Sequence, residues 1–225
     1  DDGTFQFYNR TSTAVNQTYF TNDRNKRQTY KGLEITGTKR MTSNWQMLVG
    51  YTYSQTRQSG VSVNTNPNNL INVEGPVTGQ TGDRPHQFKL TGTYITPWYG
   101  IGVGGNLNSQ SGAAITRQIQ VAQTVGGNST VNVEPLGSYR LPTRTAADLR
   151  VFKSATFGAR SLDVSVDFHN ITNTNTYWDA RTLGGTINLR QNGDPNGAIN
   201  TVPQFGSPAQ VYSPRNVRFN VAFRF

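Results

Sequence analysis

The stretch from Asn216 to Phe225, Asn-Val-Arg-Phe-Asn-Val-Ala-Phe-Arg-Phe, decides the fold class of this chain. Its residues alternate strictly between two kinds, and this period of two is that of a β-strand, not of a helix. One face carries the cations Arg218 and Arg224. The opposite face is wholly apolar and consists of Val217, Phe219, Val221, Phe223 and Phe225. We therefore expect this strand to separate an apolar environment from an aqueous one.

Two settings provide such a pair of environments. In a membrane barrel the apolar face meets lipid and the polar face lines a lumen, whereas in a soluble sandwich the apolar face meets a second sheet. A soluble edge strand usually carries charge or proline at its end, and this strand ends on Phe225. An alternating strand with a final phenylalanine resembles the C-terminal assembly signal of bacterial outer-membrane barrels. The resemblance implies that the barrel-assembly machinery recognises the five apolar residues of this face.

Composition narrows the possible classes of protein. The chain has 225 residues, no cysteine and a formal net charge of +9. The lack of cysteine excludes disulfides, thiol catalysis and thiolate metal sites. No segment approaches the ~20 apolar residues of a transmembrane helix, whereas a barrel strand needs only ~9–11 residues. The cations are scattered and accompany no nucleic-acid recognition motif, so no nucleic-acid partner is expected. Many of them flank strand ends, where a barrel meets phosphorylated lipid headgroups.

Seven segments alternate clearly enough to be predicted as strands. They are 28–38, 44–54, 86–95, 99–108, 145–153, 161–170 and 216–225. Matching the apolar faces of the first two predicts a hairpin. The expected cross-strand pairs are Gly37 with Trp45, Ile35 with Met47 and Leu33 with Val49.

The connections between these segments alternate in length. Short turns are predicted at 39–43, 96–98 and 154–160, and long loops at 55–84, 109–144 and 171–214. Outer-membrane barrels have short periplasmic turns and long extracellular loops. Four aromatic residues lie beside short turns, where a periplasmic aromatic girdle is expected. They are Trp45, Tyr94, Trp98 and Tyr99.

The sequence thus predicts an all-β protein, an antiparallel transmembrane β-barrel. Single-chain bacterial barrels have an even number of strands, and seven is odd. Thr4–Tyr8 could be an eighth strand that closes a small barrel, but it is short for a membrane span. We favour the C-terminal segment of a larger barrel. In that arrangement residues 1–27 form an extracellular loop or the end of a preceding strand, and 28–225 are barrel strands with their loops.

The predicted lumen-facing residues are polar and dispersed. They are Glu34, Asp148, Arg150, Asp163, Asp167, His169 and Arg218. Arg150 has the strand parity to pair with Asp163, which favours an ion pair over an acid–base couple. His86 has the parity of the apolar face, so His169 and His86 are not expected to share a metal or hydrolase site. We therefore expect neither enzymatic activity nor a cofactor.

Several short stretches together resemble the C-terminal barrel region of TonB-dependent outer-membrane receptors, especially the Oar-like branch. The resemblance covers about residue 28 to the end. It rests on Tyr30-Lys-Gly-Leu-Glu-Ile, Trp45-Gln-Met-Leu-Val-Gly-Tyr-Thr-Tyr-Ser, Gly82-Asp-Arg-Pro-His-Gln-Phe, Asp163-Val-Ser-Val-Asp-Phe-His-Asn-Ile-Thr-Asn and Ser213-Pro-Arg-Asn-Val-Arg-Phe.

This resemblance implies a 22-stranded barrel in the bacterial outer membrane that imports a bulky ligand. Its expected partners are outer-membrane lipid and lipopolysaccharide, the barrel-assembly machinery, and the TonB complex. The TonB complex would act only through a plug domain, and this sequence contains no plug and no TonB box. Two alternatives are an adhesive or ligand-binding surface barrel without transport, and a soluble carbohydrate-binding sandwich. The long loops are polar and contain no motif that specifies an extracellular ligand.

Overall fold

The computed structural model describes residues 7–8, 22–61, 65–79, 82–123, 125, 127–188, 200–201 and 205–225. Within these ranges no α-helix occurs, and one short 3₁₀ helix spans Pro67–Asn72. No helix there has the length and hydropathy needed to cross a membrane. The strands are β1 (Arg27–Thr42), β2 (Trp45–Ser59), β3 (Gly75–Pro76), β4 (His86–Ile95), β5 (Ile101–Gln110), β6 (Ala114–Ile115), β7 (Gln118–Ala122), β8 (Asn128–Asn132), β9 (Tyr139–Arg140), β10 (Arg144–Phe157), β11 (Arg160–His169), β12 (Tyr177–Ala180), β13 (Leu183–Asn188), β14 (Asn200–Thr201), β15 (Pro208–Val211) and β16 (Asn216–Arg224).

Seven long strands form one antiparallel sheet in the order β1-β2-β4-β5-β10-β11-β16, with the short β3 beside β2. Each long strand pairs with the long strand that precedes it in sequence, so the sheet is a meander. The all-β antiparallel prediction and the seven predicted strands are confirmed. Within the described residues the sheet is open, and β1 and β16 are its two edges.

The first hairpin is tighter than its sequence suggested. Ser43 and Asn44 both have positive φ, 52° and 65°, and they form a two-residue turn that pairs Thr42 with Trp45. Two left-handed residues give a turn whose twist matches that of the strands it joins. The predicted turn at 39–43 was therefore too long. The register shifts by one residue between Lys39 and Thr42, so that Gly37 pairs with Val49 instead of the predicted Trp45. The register differs by four residues, an even number, so each residue keeps its predicted face.

The other two short turns are confirmed with modified boundaries. β10 and β11 extend to Phe157 and Arg160, and the turn between them contains Gly158 at φ 61°. Tyr99 was predicted to begin a strand, which is wrong because it has a φ of 58°. A left-handed residue cannot continue a strand, so β5 begins at Ile101.

The three long connections, which were predicted as long loops, contain short strands of their own. We call their described residues within 60–85, 111–143 and 170–215 the loop layer. β14, β13, β7 and β8 form a four-stranded sheet, and β12–β15 and β6–β9 form two smaller ones. Because β13 belongs to the third connection and pairs parallel with β7 of the second, these two connections are held together. The first connection joins them through a hydrogen bond from Asn66 Nδ2 to Ser129 Oγ (2.8 Å).

Most of the buried apolar residues of the described chain lie in the loop layer. One cluster consists of Ala113, Ile115, Leu141 and Ala180, with Tyr177 and Phe205 packed against it. A second consists of Ile119, Val121 and Val131, with Phe7 and Val133 packed against it. The seven long strands contribute only Ala146 to the buried apolar residues. The large sheet therefore has no apolar core of its own in the described structure.

Candidate functional site

The backbone register aligns apolar side chains across the large sheet. Antiparallel neighbours that lie directly opposite each other project to the same face. One row runs without interruption through six strands and consists of Trp45, Tyr94, Val103, Val151, Val166 and Phe219. We call the face that carries this row the apolar face.

The apolar face is exposed, most strongly at the β16 edge. Phe219 is 77% exposed, and Leu33 and Ile35 at the β1 edge are also exposed. The predicted assembly-signal residues Val217, Phe219, Val221, Phe223 and Phe225 are all exposed. Phe225 lies one residue beyond the end of β16 and stacks against Phe223. At these two edges the apolar face is therefore not covered by a second layer of described residues.

Aromatic residues lie at both ends of the apolar face. At the short-turn end Trp45 pairs with Tyr94, and Trp98 and Tyr99 in the next turn are highly exposed. At the loop end Tyr53 pairs with His86, whose Nδ1 is 2.8 Å from the hydroxyl of Tyr51. Trp45 and Tyr53 are the ends of a nine-residue span of β2, which is ~27 Å along the strand at ~3.4 Å per residue. Sequence reasoning did not single out this second aromatic group, although the alternation in β2 already placed both tyrosines on the apolar face.

A hydrogen-bonded network occupies the opposite, polar face on β10, β11 and β16. Arg150 Nε lies 3.2 Å from Asp167 Oδ1, and Arg150 Nη2 donates to Ser165 Oγ (2.9 Å). Asn220 Nδ2 donates to Asp167 Oδ2 (2.9 Å) and to Ser165 Oγ (3.2 Å). The expected pair of Arg150 with Asp163 was wrong, because the register places Arg150 opposite Asp167. Asp163 instead pairs with Arg224 at 3.1 Å.

The remaining predicted lumen residues lie on the polar face but do not all join this network. His169 Nδ1 is 3.9 Å from Asp148 Oδ1, and Asp148 Oδ1 also accepts a hydrogen bond from the backbone N–H of Asn170. Arg218 lies opposite Asp167, and Glu34 lies on the distant strand β1 opposite Thr52. Neither Arg218 nor Glu34 forms an ion pair with another described residue.

The two histidines occupy opposite faces, as the parity argument predicted. His86 is opposite Tyr53 on the apolar face, and His169 is beside Asp148 on the polar face. In the part of the chain that the structure describes, no three His, Asp or Glu side chains are grouped to hold a metal ion.

Among the described residues, the best-buried ion pair lies at the base of the loop layer. Arg140 Nη2 is 2.7 Å from Asp83 Oδ2, and Arg140 Nη1 donates to the carbonyls of Asp83 (2.8 Å) and Gly112 (2.9 Å). Arg84 donates from Nη1 to the Ser111 carbonyl (3.3 Å). Burial, reinforced by the nearby charges of Arg144 and Arg140, lowers the pKa of Arg84. Residues from the first and second connections are thus joined by charge-assisted hydrogen bonds.

A second polar group ties the second connection to the third. Arg117 Cζ lies over the rings of Phe205 and Tyr139, 4.6 Å and 5.7 Å from their centroids. Arg117 Nη1 is 3.8 Å from Glu134 Oε1. The Tyr139 hydroxyl donates to Glu134 Oε1 (3.0 Å), and this hydrogen bond raises the pKa of Tyr139. Sequence reasoning missed both groups in the loop layer because their members are distant in sequence.

A groove of about 680 Å³ runs across the middle of the apolar face. Gly92 and Gly105 lie opposite each other in the register and leave a gap between the side chains of neighbouring strands. Met47 and Leu149 are the next residues in that row on either side. The groove is therefore a hollow made by missing side chains, with apolar walls.

Comparison with known proteins gives no match: none among protein-family models, none among curated proteins and none among solved structures.

Proposed function

We propose that this chain forms the C-terminal strands of an outer-membrane β-barrel of the TonB-dependent receptor class, which takes up a bulky ligand across the outer membrane. The observation that carries the proposal is the exposed apolar face with aromatic residues at both ends. Its opposite face is polar and contains ion pairs. This division between lipid and lumen is the one that a membrane barrel requires.

Energetics favour lipid as the environment of the apolar face. Large exposed apolar patches on soluble proteins are rare and mark interfaces, since apolar area in water costs ~25 cal/mol per Å². The nine-residue span from Trp45 to Tyr53 fits the ~9–11 residues of a tilted membrane strand. Trp45, Tyr94, Trp98 and Tyr99 would then form the periplasmic girdle, and Tyr51, Tyr53 and His86 the outer one.

The open edges of the sheet favour a larger barrel. A strand edge inside a membrane must pair, because lipid offers no hydrogen bonds to its backbone. The free edges of β1 and β16 therefore call for further strands, and the family resemblance suggests 22 in total. Of the possible eighth strand Thr4–Tyr8, only Phe7 and Tyr8 are described; Phe7 packs in the loop layer and is not in the sheet. This placement supports an extracellular position for residues near the start of the chain.

The proposed orientation follows from the same geometry. The loop layer would lie outside the cell and the three short turns in the periplasm. The folded loop layer would then present the surface that meets the ligand. Energy for transport would come from the TonB complex through a plug domain, and assembly would begin with recognition of β16 by the barrel-assembly machinery.

Cell fractionation with heat-modifiable migration tests the barrel. Outer-membrane barrels resist unfolding in cold detergent and migrate differently before and after boiling. We expect the protein in the outer-membrane fraction with such a shift. Recovery as a soluble protein whose migration is unaffected by boiling would overturn the proposal.

An adhesive or ligand-binding barrel without transport is the second candidate. The folded loop layer favours it, because three connections with their own apolar clusters and pairing strands make a stable binding surface. Deleting TonB distinguishes the two functions. For a transporter, cells without TonB should still bind the ligand at their surface but should no longer accumulate it. For an adhesin, the same cells should retain all of their binding, and no cells should accumulate ligand.

A further inference from the structure

Three cations on the β1–β2 hairpin continue the apolar face beyond its aromatic end. Lys31 lies opposite Gln55, Thr29 opposite Arg57, and Arg27 opposite Ser59. These pairs follow directly after the pair of Leu33 with Tyr53 and have the same parity. Gln55 Nε2 donates to the Tyr53 hydroxyl (3.1 Å), consistent with a shared face. We call Arg27, Lys31 and Arg57 the cation patch.

The cation patch is compact and carries uncompensated charge. Arg57 lies diagonally between Lys31 and Arg27, and diagonal neighbours in an antiparallel pair are ~7–8 Å apart. All three residues are exposed. None of them forms an ion pair with any acidic side chain in the described ranges. A single phosphate group could therefore contact more than one of these cations.

Apolar surface lies immediately next to the patch on the same strands. Leu33 and Ile35 follow Lys31 on β1 with the same parity, and both are exposed. Tyr53, beside Leu33, is also exposed. Along one face, the order is thus the cations, then Tyr53 at the same level as Leu33, then Ile35. This order matches the depth profile of a lipid, with its charged headgroup, interface and acyl chains.

We propose that the cation patch, together with Leu33, Ile35 and Tyr53, is a binding site for one phosphorylated lipid of the outer leaflet. The lipid phosphate lies against Lys31 and Arg57, with Arg27 above them, and an acyl chain covers Leu33 and Ile35. The proposal rests on the barrel function above, because it places the apolar face in lipid.

The test uses the full-length protein that contains these strands, in phosphatidylcholine nanodiscs titrated with lipid A. Lys31→Ala combined with Arg57→Ala is compared with Lys89→Ala combined with Arg218→Ala. The control removes the same charge from the polar face, where Lys89 lies opposite Gly50 and Arg218 opposite Asp167. Each cation near an anionic surface contributes about fivefold, so the patch variant should bind lipid A roughly 30-fold more weakly. The control and the charge-conserving Lys31→Arg, Arg57→Lys variant should bind as the natural protein does.

Heat-modifiable migration of every variant separates the two proposals. A protein that never enters the nanodiscs contradicts the barrel function, and the lipid site with it. Normal insertion with equal lipid A affinity for the patch variant and the control contradicts the lipid site alone. Weaker binding confined to the patch variant supports it.

Discussion

At the scale of single residues, the ion pairs of this molecule differ mainly in their access to water. The Asp83 side chain is 5% exposed and accepts charge-assisted hydrogen bonds, whereas the Arg224 side chain that pairs with Asp163 is 74% exposed. Removing one partner of a buried pair leaves an uncompensated charge, while exposed pairs contribute little. The two pairs should therefore respond very differently to the loss of their arginine.

Arg140→Ala should destabilise the protein by about 2–3 kcal/mol, because it leaves the Asp83 carboxylate buried without its cation. This loss of stability is at or below the low end of the range for breaking a buried ion pair, because water reaches part of the Arg140 side chain. Arg224→Ala, the matched control, should cost less than ~1 kcal/mol. Denaturant unfolding of the folded protein measures both values. Equal losses in the two variants would mean that the base of the loop layer does not depend on this pair.

Single residues also show why parts of the site could not be predicted. Arg150 has the parity to reach either Asp163 or Asp167, since both carboxylates lie on the polar face. Choosing between them requires the register of β10 with β11, which the Gly158 turn determines. The Asp83–Arg140 pair joins residues of two different connections, and no periodic pattern relates such distant positions.

At the scale of elements, the alternation of apolar and polar residues was sufficient to predict the long strands and the face of the sheet on which each of their residues lies. It failed for the first register, because that register depends on the turn with positive φ at Ser43 and Asn44 and on the register shift between Lys39 and Thr42, and the apolar pattern specifies neither. It also missed β7, β8 and β13. β7 and β8 pair within the second connection, and β13 of the third connection pairs with β7. Strands of five or six residues give too few repeats for alternation to stand out from a polar loop.

The loop layer and the large sheet should differ in what stabilises them. Val121 in β7 is 1% exposed and Val221 in β16 is 70% exposed. Val121→Ala should cost about 2 kcal/mol, from lost apolar burial and the cavity left behind. Val221→Ala should cost much less, because most of that side chain is not covered by protein. Urea unfolding compares the two variants. If Val221→Ala reduces stability as much as Val121→Ala does, another protein segment must cover this face of β16.

The last strand should act in assembly more than in stability. Phe225 is exposed and stacks only on Phe223 among the described rings, so removing it should change the stability of an assembled barrel by less than ~1 kcal/mol. If β16 is the assembly signal, the same deletion should make the protein accumulate unfolded in the periplasm. Heat-modifiable migration of membrane fractions measures this. Normal insertion of the deletion variant would remove the case for a recognised signal.

At the scale of the whole molecule, the chain reverses the usual arrangement of a soluble protein. Its apolar clusters lie in the connections, and its largest sheet exposes apolar side chains along one face. In water such a sheet would tend to associate through that face and through its open edges. In lipid, with both edges paired by further strands, the same surface is favourable.

The most direct test of lipid contact is a scan of single cysteines along β16 in the full-length protein, reconstituted in lipid vesicles; this chain itself contains no natural cysteine. Each position from 217 to 224 carries a spin label in turn, and relaxation by oxygen is compared with relaxation by a water-soluble nickel complex. Oxygen concentrates in lipid and nickel in water. We expect the oxygen effect to dominate at Val217, Phe219, Val221 and Phe223, and the nickel effect at the positions between them. High nickel accessibility on both faces of β16 would contradict the account.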